Sequence, residues 1–381
     1  MNTASRTLIA ISVTLVVVVL ALWFTNRGAV VREDTAPDNL QLGAVHAGAT
    51  VEFSARFLVS SRRHPFDVFF ERVLDRMPQS SVPALSKLHP KNFRKPPAAV
   101  DPATLKPSIQ TPAFVRVQKT TVDSRTNWYQ GRPFVTLDLA LDTLRPGDYS
   151  GEIEVTLDRR RAALPVRVKI REKPADLPEL LIATTPFEAY ATEHGADFET
   201  ATALLSALPL RVNYLQALPP ELKSYQVILL ADSALVDIGE SEVARLRAFV
   251  EQGGRLILAC NAFMVRSVTS ANQVLADAGM QVVDNDYGRY VTVTNVAPDR
   301  LTRDVQHLEF HRHSLIQISD TTKAKALALA TNSQSGFVAV SRRNNGGEIV
   351  VLTSSLWWHW LDRFKTNSDN ARLMQNILLR D

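Results

Sequence analysis

The stretch VILLADSALVDIGESEVARLRAFVEQGGRLIL, from Val227 to Leu258, places a helical segment between two short apolar runs. Apolar residues recur at helical spacing in the middle of the stretch, and Gly253 with Gly254 ends the helix before the second run. Parallel neighbouring strands need a crossover of about this length, which is usually a helix. The stretch therefore predicts a parallel sheet covered by helices, and this constrains the fold more than any other feature.

The same alternation extends over residues 177–381, where nine apolar runs are predicted strands. These runs are 180–183, 210–215, 227–231, 256–260, 281–283, 305–310, 326–330, 337–341 and 348–352. Helices are predicted at 196–208, 241–252 and 370–379, and the turn at Asn345 and Gly346 predicts a hairpin. Together they predict a doubly wound, flavodoxin-like α/β domain.

Residues 38–176 have a different rhythm, typical of a β-sandwich. Val51, Phe53 and Phe57 alternate with polar residues, as in a strand with one buried face. Further short strands are separated by turn chemistry, most clearly at Pro146 and Gly147. A basic, Pro-rich insertion occupies about residues 62–112.

An apolar run from Leu8 to Phe24 precedes both regions and is long enough to cross a bilayer. We predict a signal anchor over residues 1–27, a linker over 28–37, and a single-pass protein of the inner (cytoplasmic) membrane whose bulk is extracytoplasmic or periplasmic. A cleaved signal peptide and the reverse orientation are the alternatives, and either would change localisation without changing the fold.

Composition excludes several classes of function. The chain of 381 residues has one cysteine, which rules out an internal disulfide and any multi-cysteine zinc site. Basic and aromatic residues do not interleave as they do in nucleic-acid-binding surfaces, so no nucleic-acid partner is predicted. No phosphate loop is present, and no cofactor is predicted.

The N-terminal region resembles the bacterial immunoglobulin-like domains of the Hydin type. Leu42, Gly43, Val45 and Gly48 match the opening motif of that family, and Pro146, Gly147, Tyr149 and Gly151 match its hairpin. The insertion is a large departure from the family pattern. The resemblance implies an extracytoplasmic module without catalysis.

The C-terminal region resembles the class I glutamine amidotransferase-like domains, in particular their non-catalytic branch. The resemblance rests on YQVILLAD, VEQGGRLILAC and NGGEIVVLTSSLWWHW, and on the stretch PDRLTRDV, in which Pro298, Asp299 and Asp304 depart from the pattern of the branch. It implies a flavodoxin-like fold and leaves activity open.

Cys260 is the residue on which activity depends in that resemblance. It follows a predicted strand, as the family's nucleophile does, but the two glycines of the nucleophile elbow are missing. His359 and Asp362 match the general base and its orienting acid, with Asp362 one residue further along than the pattern requires. A catalytic triad of these residues is one hypothesis, and a small buried side chain at Cys260 is the other.

A second hypothesis is a metal site. His307, Glu309, His311 and His313 alternate with apolar residues, so in a strand all four side chains share one face. Imidazole and carboxylate groups bind zinc and other divalent ions. The alternative is a polar strand face or a sheet edge kept polar against unwanted pairing.

These observations predict a membrane-anchored, non-enzymatic binding or scaffold protein that engages another envelope component or a ligand. One alternative is a cysteine hydrolase that uses Cys260 and His359. The other is a metal- or sugar-binding accessory subunit built on the histidines and on three clustered tryptophans, Trp357, Trp358 and Trp360.

Overall fold

The computed structural model describes residues 40–58, 106–123, 134–142, 145–157, 160–183, 204–231, 235, 238–260, 265–283, 290–311, 314–330, 334–353 and 368–380. Strands account for 49% of these residues and helices for 17%. The predicted anchor and linker, and most of the Pro-rich insertion, lie outside the described residues.

Seven strands lie among the described residues of the N-terminal part, which we term the sandwich. They are β1 (Leu40–His46), β2 (Glu52–Leu58), β3 (Ser108–Gln110), β4 (Val115–Asp123), β5 (Phe134–Leu141), β6 (Gly147–Leu157) and β7 (Arg160–Arg171). One sheet has the order β1-β7-β6-β3 and the other has the order β2-β5-β4. β1 runs parallel to β7, and the other pairs are antiparallel.

Strand β2 shows why these residues form a sandwich. Phe53 and Phe57 point to the same face and are buried, as the period-two pattern predicts. Their partner strand β5 buries Leu137 and Leu139, and the facing sheet contributes Ile153 of β6 to the same cluster. Apolar side chains of both sheets thus form one core between them.

The C-terminal part is built on a sheet of nine strands, which we term the mixed sheet. They are β8 (Glu179–Ala183), β9 (Arg211–Leu215), β10 (Val227–Ala231), β11 (Arg255–Ala259), β12 (Met280–Val283), β15 (Leu315–Ile318), β16 (Ala324–Leu329), β17 (Ser335–Arg342) and β18 (Glu348–Leu352). The order is β12-β15-β17-β18-β11-β10-β8-β9, with β16 also paired to β17. A separate ribbon consists of β13 (Tyr290–Val293) and β14 (Leu308–His311).

The predicted doubly wound, flavodoxin-like fold is wrong. Five neighbouring strands of the sheet are parallel, in the order β18-β11-β10-β8-β9. The other four, β12, β15, β16 and β17, pair antiparallel. For β17 and β18 the physical reason is the tight turn at Asn345 and Gly346, because a short hairpin can only join antiparallel strands. With strands in about half of the described residues, the chain as a whole is mostly β.

The transmembrane helix in the predicted fold class also requires correction. No helix in the described ranges is long and apolar enough to cross a bilayer. Residues 8–24, on which that prediction rested, lie outside those ranges.

Helices cover the mixed sheet on both faces. α1 (Glu240–Glu251) and α2 (Val265–Leu275) pack on one face, and α3 (Asn370–Leu378) packs on the other. α1 and α3 lie where the apolar spacing predicts them, whereas α2 was not predicted. The face that holds α3 also receives the sandwich, because one hydrophobic cluster runs without a break from Phe53 of β2 to Leu229 of β10.

A testable consequence concerns Gly347, which begins the return from the β17–β18 turn. A Cβ atom there would overlap the main-chain carbonyl of Val250 at the end of α1. Because backbone cannot move aside as a flexible side chain can, we expect Gly347→Ala to lower the free energy of unfolding by about 2 kcal/mol or more. Urea denaturation measures this.

Gly346→Asn is the matched control. Gly346 has a φ of 85° with no neighbour within 4 Å of a Cβ atom, and asparagine tolerates this left-handed conformation better than other residues. We expect it to cost no more than about 1 kcal/mol. Equal losses in the two variants would show that α1 does not pack against the turn in this way.

Candidate functional site

Cys260 lies directly after β11, at the carboxyl ends of the parallel strands. Ligands bind beyond this edge in open α/β sheets, so it is the first place to look for chemistry. The Cys260 N–H donates to the carbonyl of Leu352, at 3.0 Å, and the side chain is fully buried in the cluster that α1 and α2 form with the sheet. A nucleophilic thiolate needs access to its substrate, which this position does not provide.

The other two members of the proposed triad, His359 and Asp362, lie outside the described residues, as do the three clustered tryptophans. The structure therefore places only Cys260, and the triad stays a prediction. Thr353 follows β18 at the same edge of the sheet and is held there by hydrogen bonds. Ser314 donates its N–H to the carbonyl of Thr353 at 3.2 Å, and the Thr353 hydroxyl donates to the carbonyl of Phe337 at 3.1 Å.

The structure describes two of the four predicted metal ligands, His307 and Glu309. His307 is exposed just before β14 and Glu309 is half-buried within it, while Leu308 and Phe310 are buried between and after them. The alternation predicted for this strand is therefore present.

The His311 side chain and His313 lie outside the described residues, so the four-ligand site stays a prediction. Within the ranges that the structure describes, no group of three or more His, Cys, Asp and Glu side chains is placed to hold a metal ion.

The start of α3 holds the strand that carries these residues. Asp369 accepts the N–H groups of Gln306 and His307 at 2.7 and 2.9 Å. Asn370 accepts the N–H of Glu309 at 3.1 Å and donates to its carbonyl at 2.8 Å, as a neighbouring strand would. Partial burial tends to raise the pKa of Asp369, but the two N–H donors outweigh it and the pKa is lowered.

A buried ion pair that was not predicted from the sequence lies at the opposite end of the sheet, where the parallel strands begin. Arg255 begins β11 and Glu348 begins β18, and the two are neighbours in register. Both side chains are buried, and Nε of Arg255 donates to Oε2 of Glu348 at 2.7 Å. Nη1 of Arg255 donates to the carbonyls of Ile377 and Leu379 at 2.6 Å each, and so holds the end of α3.

Two further arginines complete this network. Nε of Arg342 donates to Glu348 at 2.8 Å. Its Nη1 and Nη2 form a bidentate pair of hydrogen bonds to the Asp299 carboxylate, at 2.9 and 2.6 Å. Arg300 also contacts Glu348. Burial opposes ionisation of Glu348, but Arg255, Arg342 and Arg300 outweigh it, so its pKa lies below the ordinary value. The hydrogen bonds that Arg342 donates to Asp299 and Glu348 raise the pKa of its guanidinium.

A sequence signal for this pair exists. Both strands open after paired glycines, as Gly-Gly-Arg in VEQGGRLIL and as Gly-Gly-Glu in NNGGEIV. A charged residue at the start of an otherwise apolar, buried strand needs a partner, and opposite charges at equivalent positions supply one. The network lies at the amino ends of the parallel strands, so we interpret it as structural.

The sandwich and the mixed sheet meet at a polar contact, which we term the seam. It joins residues 46–54, at the end of β1 and in β2, to residues 208–216, in and around β9. Val51 pairs with Tyr214 in a parallel bridge, and the Tyr214 N–H donates to the carbonyl of Thr50 at 2.9 Å. Asn213 accepts the Thr50 N–H at 2.9 Å.

Side chains extend the seam on both sides of this bridge. Gln216 donates its N–H to Glu52 at 3.2 Å and its side-chain amide to Ser54 at 2.9 Å. Lys173, in the connection between the two parts, donates to the carbonyls of Leu208 and Leu210 at 2.7 Å each. Because strand pairing, side-chain bonds and apolar packing all cross the seam, the two parts hold a fixed relative position.

No protein-family model matches the chain, and comparison with curated proteins also gives no match. Among solved structures, a protein assigned as an alpha-galactosidase of Bacteroides fragilis is similar at 11% identity and a TM-score of 0.17, over 60% of this chain and 37% of that one. A family 123 glycoside hydrolase of Clostridium perfringens is similar at 13% identity and a TM-score of 0.12, over 42% and 26%. The chain spans less than two fifths of either structure, and neither similarity carries an argument.

We expect Glu348→Gln to destabilise the protein by about 3 to 5 kcal/mol, because it leaves buried Arg255 without its counter-charge. The wild-type carboxylate has a lowered pKa, so it stabilises the fold above pH 4.5, its ordinary value, and this contribution is lost as the pH falls through the folded-state pKa. Urea unfolding between pH 3 and 7 should therefore show a shallower acid loss of stability in the variant.

Asp148→Asn is the control for this prediction. It removes an exposed ion pair in which Arg171 and Asp148 are 3.8 Å apart, and we expect a change of at most about 1 kcal/mol. If Glu348→Gln cost no more than this control, the network would not be the buried junction described above.

Proposed function

We propose that the protein is a non-enzymatic binding or scaffold protein, in which the sandwich and the mixed sheet act as one rigid body. The observation that carries the proposal is the seam, because a strand bridge from Val51 to Tyr214 and a continuous hydrophobic cluster fix two different surfaces in one orientation. Such an arrangement suits a protein that presents both surfaces to a partner.

The burial of Cys260 supports the non-enzymatic part of the proposal. In a cysteine hydrolase the thiol must meet both its base and its substrate. Here the side chain packs in the same cluster as Val268 and Ala271 of α2, which favours the hypothesis of a small core residue.

The partner we propose is another protein of the cell envelope. This rests on the resemblance of residues 38–176 to extracytoplasmic immunoglobulin-like modules of the Hydin type. An extracytoplasmic location and the resemblance itself remain predictions, as does the class I amidotransferase-like assignment of residues 177–381.

Thiol labelling tests the proposal directly. We expect the single thiol of the native protein to react with a disulfide reagent at neutral pH at least about a hundredfold more slowly than in urea, since reaction requires opening of the core. A Cys260→Ala variant gives the blank. Rapid labelling of the native protein at pH 7 would favour the cysteine hydrolase instead.

Calorimetry tests the rigid body. We expect the sandwich and the mixed sheet to unfold in one transition, with equal calorimetric and van't Hoff enthalpies, because their cores are continuous. Two separable transitions would mean that the seam is too weak to hold the parts as one unit, and the scaffold proposal would lose its main support.

A further inference from the structure

One buried histidine lies in the seam without a partner for one of its ring nitrogens. His46 ends β1 and is only 4% exposed. Its Nδ1 lies 2.9 Å from the carbonyl oxygen of Ala47, and because a carbonyl only accepts, Nδ1 must carry the proton. Nε2 then holds the lone pair of a neutral ring, and it is buried with no hydrogen-bond partner in the part of the chain that the structure describes.

The charged groups around His46 oppose a second proton on the ring. Arg211 and Lys173 both act on it with positive charge, and Glu179 acts on it with negative charge. Both oxygens of Glu179 are already engaged, Oε1 by Arg211 at 3.3 Å and Oε2 by Asn213 at 3.5 Å. Arg171, the register partner of His46, faces Asp148 at 3.8 Å.

The position of His46 connects it to the bridge of the seam. Its carbonyl accepts the N–H of Ala49 at 3.1 Å, which forms the turn that leads to Thr50. Thr50 then makes two of the contacts that cross the seam, both at 2.9 Å, with Asn213 and Tyr214. A change at the imidazole is therefore four residues from the strand pairing that joins the two parts.

We propose that His46 is a pH-sensitive element of the seam, and that protonation of its Nε2 loosens the hold of the sandwich on the mixed sheet. The new N–H would be buried and charged, with no acceptor among the described residues, and the positive charges of Arg211 and Lys173 would oppose it. The seam must open locally to hydrate it, since a buried unpaired charge costs several kcal/mol.

The direction of the pH effect follows from the burial. Burial is the largest cause that lowers the pKa of His46 from the ordinary value of 6.5, and the hydrogen bond to Ala47 opposes it only in part. The folded state therefore binds fewer protons than the opened state. Stability is fully present above pH 6.5 and falls as the pH drops from there to the folded-state pKa, by at most about tenfold in the opening equilibrium per pH unit.

Hydrogen exchange with mass spectrometry tests this on the full chain. Protection factors, corrected for the intrinsic rate at each pH, are compared at pH 7.5 and 5.5 for peptides that cover 44–54 and 208–216. We expect protection there to fall by up to about tenfold on acidification, while a peptide over β10 keeps its protection.

Two variants distinguish this from a general effect of acid. His46→Asn keeps a donor for the Ala47 carbonyl but does not titrate, so its seam peptides should lose the pH dependence. His307→Asn changes an exposed histidine outside the seam and should behave as the wild type does. If His46→Asn does not fold, His46→Phe fills the same space without a charge and should give the same result.

Three outcomes would overturn the proposal. The first is that protection of the wild-type seam peptides is the same at both pH values. The second is that protection of these peptides falls as much in His46→Asn as in the wild type. The third is that protection of the β10 peptide falls as much as that of the seam peptides. A fall confined to the seam and abolished by the His46 variants supports it.

Discussion

The structure of the C-terminal part depends on one buried ion pair. Arg255 and Glu348 begin two adjacent parallel strands, and neither charge would be tolerated in the interior alone. Arg255 also binds the end of α3. Glu348 in turn binds Arg300, which precedes β14, and Arg342, which ends β17. Elements far apart in the sequence are thus held together at the amino end of the sheet.

A second constraint is the seam, where the sandwich continues one edge of the mixed sheet. An exposed edge strand presents unpaired main-chain groups and invites aggregation. Here Thr50 and Val51 cover the outer edge of β9, and Asn213 and Gln216 add side-chain bonds to the same contact. In this junction the His46 imidazole has a hydrogen-bond partner at Nδ1 and, among the described residues, none at Nε2. We therefore propose that the contact between the sandwich and the mixed sheet depends on protonation of this ring.

Much of the local structure could be predicted from periodicity. The helices α1 and α3, the alternation in β2 and the strand at 348–352 all lie where apolar spacing indicates, because burial on one face of an element leaves a period in the sequence. The helix α2 was not predicted because Met264, the residue directly before it in the sequence, is not a typical helix cap. Of the predicted site residues the structure describes the side chains of Cys260, His307 and Glu309, and both predicted sites stay predictions. The ion-pair network and the seam were not predicted.

The sequence by itself determined the kind and position of most elements and the paired glycines that precede Arg255 and Glu348. Apart from the hairpin at Asn345 and Gly346, it did not determine strand direction, so a doubly wound parallel sheet was predicted where β12, β15 and β17 pair antiparallel. Only the tertiary structure decided that Cys260 is buried, that three arginines share one carboxylate, and that His46 faces β9 and its neighbours. The reason is physical: periodicity records which face of an element is buried, whereas partners distant in the chain are chosen by packing and charge after the elements meet.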